Sequence, residues 1–327
     1  MNIEMIRAAR QRLEGRVRKT PLLNAPALDE MAGRRVFVKP ECLQHTGSFK
    51  YRGAVSAISA LSEDQLKRGV IAYSSGNHAQ GIALAARQEG TSAVIVMPSD
   101  APRMKIENTR AYGGETVLYD RPKGEDRDAI GREIADARGL TLVKPFDEPQ
   151  VIAGQGTCGL EIAAQARAEG IEEADVIVCC GGGGFASGIA LALEADAPGL
   201  RVRPAEPARF DDMARSLEAG ERLSNATTSG SICDAIISPT PGEITFPILH
   251  RLAGPGLVVT DDEAMQAMVA AFNHLKLVAE PGGAVALASA LYREDEIEGD
   301  AVIVTISGGN VDAEVFATAL EKFGGTA

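Results

Sequence analysis

Seven short runs rich in β-branched and aliphatic residues recur along the chain: VFVKP (36–40), VIAYS (70–74), AVIVM (93–97), ETVLY (115–119), DVIVCC (175–180), LVVT (257–260) and AVIVTI (301–306). Between them lie segments long enough for a helix. Parallel pairing needs a crossover of a dozen or more residues, whereas antiparallel pairing is content with a tight turn. The alternation therefore predicts βαβ units, and with them an α/β fold of mostly parallel sheets flanked by helices. Two helical patterns, GIALAARQEG and EIAAQARAEG, end on Gly90 and Gly170, where a helix C-terminus favours glycine.

At 327 residues the chain is long enough for two domains. The region from about 45 to 140 holds a βαβ series of its own. Pro145, Pro149 and Gly154–Gly156 then break the pattern before a second series begins. The expected organisation is a small domain, 45–140, inserted into a larger one made of 1–44 plus 141–327. No internal repeat or low-complexity tract is present.

Charge excludes some functions. Lys and Arg number 33 against 45 Asp and Glu, a net charge of -12, so no basic face offers itself to nucleic acid or to an anionic membrane. Charges interrupt the N-terminal MNIEMIRAARQRLEGR, which lacks the apolar core of a signal peptide, and no apolar stretch of about 18 residues exists. Five cysteines, at 42, 158, 179, 180 and 233, form no metal-finger spacing; they read as reduced, packed thiols of a cytoplasmic protein.

Four segments stand where strands should end, the place at which open α/β sheets bind ligands. Gly181-Gly182-Gly183-Gly184-Phe185 joins a strand to a helix; successive backbone N–H groups and the helix N-terminus suit a phosphate, although a tight packing turn would use glycines too. Thr46-Gly47-Ser48-Phe49-Lys50 places a lysine after an aromatic at the start of an alanine-rich helix, where burial would lower its pKa and fit it for a Schiff base. On most helices such a lysine simply faces water. Ser74-Ser75-Gly76-Asn77-His78 opens another helix and suits either capping or a substrate carboxylate. Ser307-Gly308-Gly309-Asn310 ends the last strand; it reads as another β-to-α turn or as a site in which Ser307 would present one neutral hydroxyl to a ring nitrogen.

These segments, in this order and at these spacings, resemble the fold type II pyridoxal 5′-phosphate enzymes, most closely the threonine/serine dehydratase and serine racemase family. The resemblance runs through KTPLL (19–23), KPECLQHTGSFKYRGA (39–54), SSGNHAQGIA (74–83), PSDAPRMKIENTRAYGGE (98–115), PFDEPQVIAGQGT (145–157), the tetraglycine loop, EPGGAVALA (280–288) and SGGN (307–310). It implies that Lys50 holds the cofactor as a Schiff base and then acts as base on Cα, with Phe49 against the pyridine ring. Gly181, Gly182, Gly183, Gly184 and the Phe185 amide would hold the phosphate, Asn77 the phenolic oxygen and Ser307 the pyridine nitrogen, with Glu280 near the polar edge. Ser74, Ser75, Gly76, Asn77 and His78 would bind the substrate carboxylate. A serine hydroxyl does not keep the pyridine nitrogen protonated, so the ring is a weaker electron sink and loss of a β-leaving group is favoured over transamination.

The implied reaction is dehydration of a 3-hydroxy amino acid, L-threonine or L-serine first, to a 2-oxo acid and ammonia. Dehydration of 3-hydroxyaspartate is a close variant, needing a cation for the second carboxylate, for which Lys144 and Arg52 are the candidates. Racemisation is the competing reaction, with Ser75 as acid/base on the opposite face; a silent cofactor-binding protein is the reading from another class. Glu206, the Phe210 carbonyl and Asp212 resemble the family's divalent-cation site, for Mg²⁺, Ca²⁺ or Mn²⁺, though on spacing alone they read as a solvated acidic loop. Departures include Phe146, where serine racemases carry asparagine and dehydratases share the PFD, and Cys233-Asp234-Ala235 in place of the usual ADG. Gly282 stands where many relatives carry alanine or threonine. The family's regulatory domain has no counterpart before Ala327, which predicts no isoleucine feedback, and the family's habit predicts a homodimer.

Overall fold

A computed structural model describes residues 1–74, 76–101, 103–120, 123 and 125–325. Among the described residues ten strands form two sheets: β1 (Leu23–Asn24), β2 (Arg35–Pro40), β3 (Val70–Tyr73), β4 (Ala93–Pro98), β5 (Glu115–Tyr119), β6 (Thr141–Leu142), β7 (Ala174–Cys179), β8 (Leu200–Pro207), β9 (Leu257–Val259) and β10 (Ala301–Ile306). The larger sheet runs β1-β2-β10-β7-β8-β9 and the smaller β5-β4-β3-β6. Every pairing is parallel except β1 with β2. The architecture is the α/β one expected from the alternation of runs.

The continuous apolar runs follow from burial on both faces. Side chains alternate across a strand, so Val302, Val304 and Ile306 of β10 face one core layer while Ala301 and Ile303 face the other. The first layer packs against the helices Asp261–Ala270 and Pro281–Tyr292, the second against Pro149–Ala168 and Gly184–Asp196. Two-residue strands β1 and β6 carry no periodic pattern and escaped the sequence reading.

The glycines at 154–156 do not break the chain. They lie inside the helix Pro149–Ala168, with Pro149 at its first turn, where a missing N–H costs nothing. A Cβ on Gly154 would stand 2.4 Å from the Arg52 carbonyl oxygen, and one on Gly156 2.8 Å from that of Gly188. These glycines let the helix cross its neighbours at near backbone contact, an advantage that outweighs their poor helix propensity. Among the described residues no helix is long and apolar enough to cross a membrane.

Candidate active site

The chemistry-bearing segments converge on one cleft of about 680 Å³, at the C-terminal ends of strands from both sheets. Lys50 opens the helix Lys50–Ser59. Its approach is tied to the end of β10: Ser48 bridges Gly308, the Phe49 N–H donates to the Ser307 carbonyl at 3.1 Å, and the Gly309 N–H donates to the Gly47 carbonyl at 2.9 Å. Thr46 and Gly47 supply the positive φ angles, 59° and 72°, that turn the chain into this contact. Lys50 Nζ donates to the Pro145 carbonyl at 2.8 Å and lies 5.1 Å from the centroid of the Phe49 ring. Burial brings the amine down to about 8, with the Glu280 carboxyl opposing.

The tetraglycine turn links β7 to the helix Gly184–Asp196. Gly183 sits at φ 93°, and the Gly182 carbonyl is fixed by the Thr245 hydroxyl, which donates at 2.6 Å. A Cβ on Gly182 would fall 2.2 Å from the Phe146 ring, one on Gly183 2.7 Å from Met213 Cε, and one on Gly184 2.8 Å from the Phe146 carbonyl. Only backbone can line this cradle, and a helix N-terminus beneath it favours an anion. Phe185 stacks on Phe49 with centroids 4.0 Å apart. An anion cradle at one end, a buried amine and the neutral hydroxyl of Ser307 fit pyridoxal phosphate. Ser307 is itself buried, its N–H donating to the Gly283 carbonyl at 3.1 Å.

Ser74, Gly76, Asn77 and His78 line the same cleft; Ser75, the residue expected to serve as second acid/base, lies outside the described residues. Ser74 Oγ accepts from the Gly76 N–H at 3.2 Å. Asn77 donates to Glu280 Oε1 and accepts from Asn310 Nδ2 at 2.7 Å, so its amide is held in one orientation. His78 contacts the Val143 carbonyl through Nε2 at 3.0 Å, and burial, helped by Lys50, holds its ring down to about 3. The imidazole is therefore neutral, with Nε2–H donating and Nδ1 left as an acceptor; the group it can offer a carboxylate is its backbone N–H, not its ring. Glu280, which caps the turn of Gly308, is pushed up to about 7 by burial.

Neither cation proposed for a second substrate carboxylate reaches the cleft. Arg52 is fully buried between Glu41, at 2.7 and 2.9 Å, and Glu161, at 2.7 and 3.0 Å, and serves as a structural tie. Lys144 is exposed and does not line the cleft. The lining instead includes Lys105, from the helix Arg103–Ala111, paired with Asp234 at 2.8 Å. Sequence reasoning missed the lysine, because a lysine in RMKIENTRA looks like any solvated helix residue, and marked Asp234 only as part of the Cys233-Asp234-Ala235 departure.

Glu206, Phe210 and Asp212 come together outside this cleft, at the end of β8 and the start of the helix Asp212–Ala219, and all three are buried. Glu206 accepts from the N–H groups of Met213 and Ala214, at 3.0 and 2.8 Å. Asp212 Oδ1 accepts from Asn225 at 2.6 Å, while Oδ2 is buried without a hydrogen-bond partner among the described residues. Burial raises both carboxyls, Asp212 to about 7 and Glu206 well above its usual range, each opposed by the hydrogen bonds it accepts. An orphaned carboxylate oxygen beside a second buried carboxyl fits a hard divalent cation.

Residues 13–309 match the family model described as pyridoxal-phosphate dependent enzyme. An L-threo-3-hydroxyaspartate ammonia-lyase of Pseudomonas sp is 42% identical, over 97% of this chain and 98% of the relative. A serine racemase of Oryza sativa subsp. indica is 38% identical, over 98% of this chain and 94% of the relative. The crystal structure of a threonine deaminase from T.th. superposes with a TM-score of 0.89 at 40% identity, covering 95% of this chain and 99% of that one. With the family model spanning most of its length and its cleft built for that cofactor, the chain belongs to the pyridoxal-phosphate dependent enzymes of fold type II.

Proposed function

We propose that the chain removes water from a 3-hydroxy amino acid and releases a 2-oxo acid and ammonia. The observation that carries this reading is the pairing of a neutral Ser307 hydroxyl with a buried Lys50 amine at one cleft. The cofactor, when bound, supplies an electron sink at the substrate nitrogen. Around it the protein positions and moves protons. The N-terminus of the helix Asn77–Gln88, with Ser74, takes the α-carboxylate and turns the Cα–H bond toward Lys50. Lys50 Nζ takes that proton, the Cα–H electrons form the Cα–Cβ double bond, and the β-hydroxyl leaves as water after taking a proton back from the Lys50 ammonium. The released unsaturated amine tautomerises, and water splits it into oxo acid and ammonia.

Ser307 favours this outlet because a hydroxyl cannot hold the pyridine nitrogen protonated, so electrons leave through Cβ rather than accumulate. Purified, cofactor-loaded protein offered L-threonine, L-serine, D-serine and the stereoisomers of 3-hydroxyaspartate is expected to release 2-oxo acid and ammonia in equal amounts from at least one. Inversion of serine without oxo acid would establish racemisation in its place.

We also infer that Glu206, the Phe210 carbonyl and Asp212 hold Mg²⁺ or a similar cation, in a cytoplasmic homodimer. Asp212 gives this a pH signature. With its folded pKa raised to about 7, above the unfolded value near 4, it is neutral below pH 7 and its ionisation costs the fold stability as pH rises from about 4 to 7. A cation binds only the ionised form and offsets that cost. Saturating Mg²⁺ is expected to raise Tm by roughly 5 °C at pH 8 and by much less at pH 5.5. Glu206→Gln should abolish the difference; an equal response at both pH values, or in the variant, would count against the site.

A further inference from the structure

We propose that Lys105 receives a second carboxylate carried on the β-carbon of the substrate, so that the site selects 3-hydroxyaspartate over L-serine and L-threonine. This rests on the elimination reading and names its substrate class. Among the described residues the cleft is lined by three strongly basic side chains: Lys50, Lys105 and Arg127. Lys50 is committed to the reaction. Arg127 is exposed and follows Glu125 and Asp126, which line the cleft too, so its field is screened by water and by its neighbours. Lys105 has a side chain only 5% exposed, and its Nζ lies 3.6 Å from where a Cβ on Gly76 would stand. Gly76 immediately precedes the helix whose N-terminus takes the α-carboxylate. The ammonium therefore stands beside the substrate, at a place where charge counts for more than it does in water.

A buried ammonium needs an anionic partner, and here the partner can leave. Asp234 meets Lys105 at 2.8 Å, but its own side chain is 49% exposed. Breaking the pair returns the Asp234 carboxylate to water at small cost, provided another carboxylate takes its place. Asp234 is in effect a carboxylate already seated where the substrate's would sit. It uses one of the three N–H donors of the ammonium. Glu280 and Asp312, also near Lys105, act with Asp234 to keep it charged against the cost of burial. Serine and threonine bring only hydrogen or methyl to that position and leave the Lys105–Asp234 pair closed. A β-carboxylate opens it and forms the charge-assisted hydrogen bond in its stead.

The test compares wild type, Lys105→Met and Asp234→Asn. Lys105→Met is expected to lower the ratio of kcat/KM for L-threo-3-hydroxyaspartate to that for L-serine by about 100-fold, the worth of a hydrogen bond to a charged group. Asp234→Asn, which leaves Lys105 without its rival anion, should raise the same ratio. If both substrates fall together in Lys105→Met, the lysine serves the α-carboxylate or the fold and the proposal is overturned. If wild type releases no oxo acid from any substrate, the elimination reading fails by itself. The Lys105 assignment is then read from binding, as the affinity for L-aspartate relative to L-alanine, followed by the cofactor absorbance. That ratio must fall in Lys105→Met and rise in Asp234→Asn; a ratio that stays put refutes it.

Discussion

Replacing Lys50 with alanine is expected to abolish 2-oxo acid release, by more than about 1,000-fold, while leaving the fold intact. Alanine is the best helix former, and Lys50 is the first residue of its helix, so the backbone has no reason to move. The buried amine is itself a burden on the cofactor-free protein: its pKa of about 8 shows that the charged form is penalised by loss of water. Between pH 8 and the unfolded value near 10.5 the unfolded chain holds more protons, so this group lowers stability below pH 8 and its removal relieves the fold. The Tm of cofactor-free Lys50→Ala at pH 7 should therefore equal or exceed that of wild type, and the visible band of the lysine-bound cofactor should vanish. Activity within tenfold of wild type would remove Lys50 from the reaction.

The second large effect is on cofactor affinity. Gly183→Val puts a β-branched residue at φ 93° with Met213 Cε and Thr245 Oγ1 inside 3.0 Å of its Cβ. Strain of this kind costs about 1–3 kcal/mol, which a domain stable by about 5–15 kcal/mol survives, so the chain still folds. The turn, however, can no longer aim its amides together. Affinity for pyridoxal phosphate, measured by absorbance titration, should fall at least about 100-fold. Gly90→Ala is the control: it too has a positive φ, 69°, but nothing within 4 Å and no part in the cleft, so it should bind the cofactor like wild type. Equal affinities in Gly183→Val and wild type would mean that the phosphate sits elsewhere.

What the sequence disclosed followed physical scale. Strands buried on both faces leave little room for polar side chains, so β4, β7 and β10 announce themselves as near-continuous apolar runs, interrupted only by the paired Asp175 and by Thr305. Strands β1 and β6 are two residues long and hold together through a neighbour, which no local pattern records. Asn77, the four glycines and Ser307 were legible because each follows a strand and departs sharply from the apolar run before it, whereas Lys50 was marked by the aromatic before it and by the resemblance. Gly154 and Gly156 were misread as a break, since a glycine that permits a helix crossing and one that ends a helix look alike until the neighbour is known. Lys105 was invisible for a related reason. Its burial, and its partner 129 residues away, are properties of the folded cleft rather than of the helix that carries it.

The ties between the segment before Lys50 and the end of β10 make position 307 an unusually clean variable. Main-chain bonds hold the two segments together, through the bridge of Ser48 with Gly308 and the bonds from Phe49 to Ser307 and from Gly309 to Gly47, and one side chain joins them, Asn310 Nδ2 donating to the Thr46 carbonyl at 2.8 Å. The distance between Lys50, the proposed base, and Ser307, the proposed partner of the ring nitrogen, is thus set without any contribution from the side chain at 307. A chemist can exchange that side chain and change how strongly electrons are drawn toward the pyridine nitrogen, with the proton-transfer geometry acting as a fixed frame. On the proposed roles, the electronic part of catalysis rests on a side chain, and the geometric part mostly on the main chain.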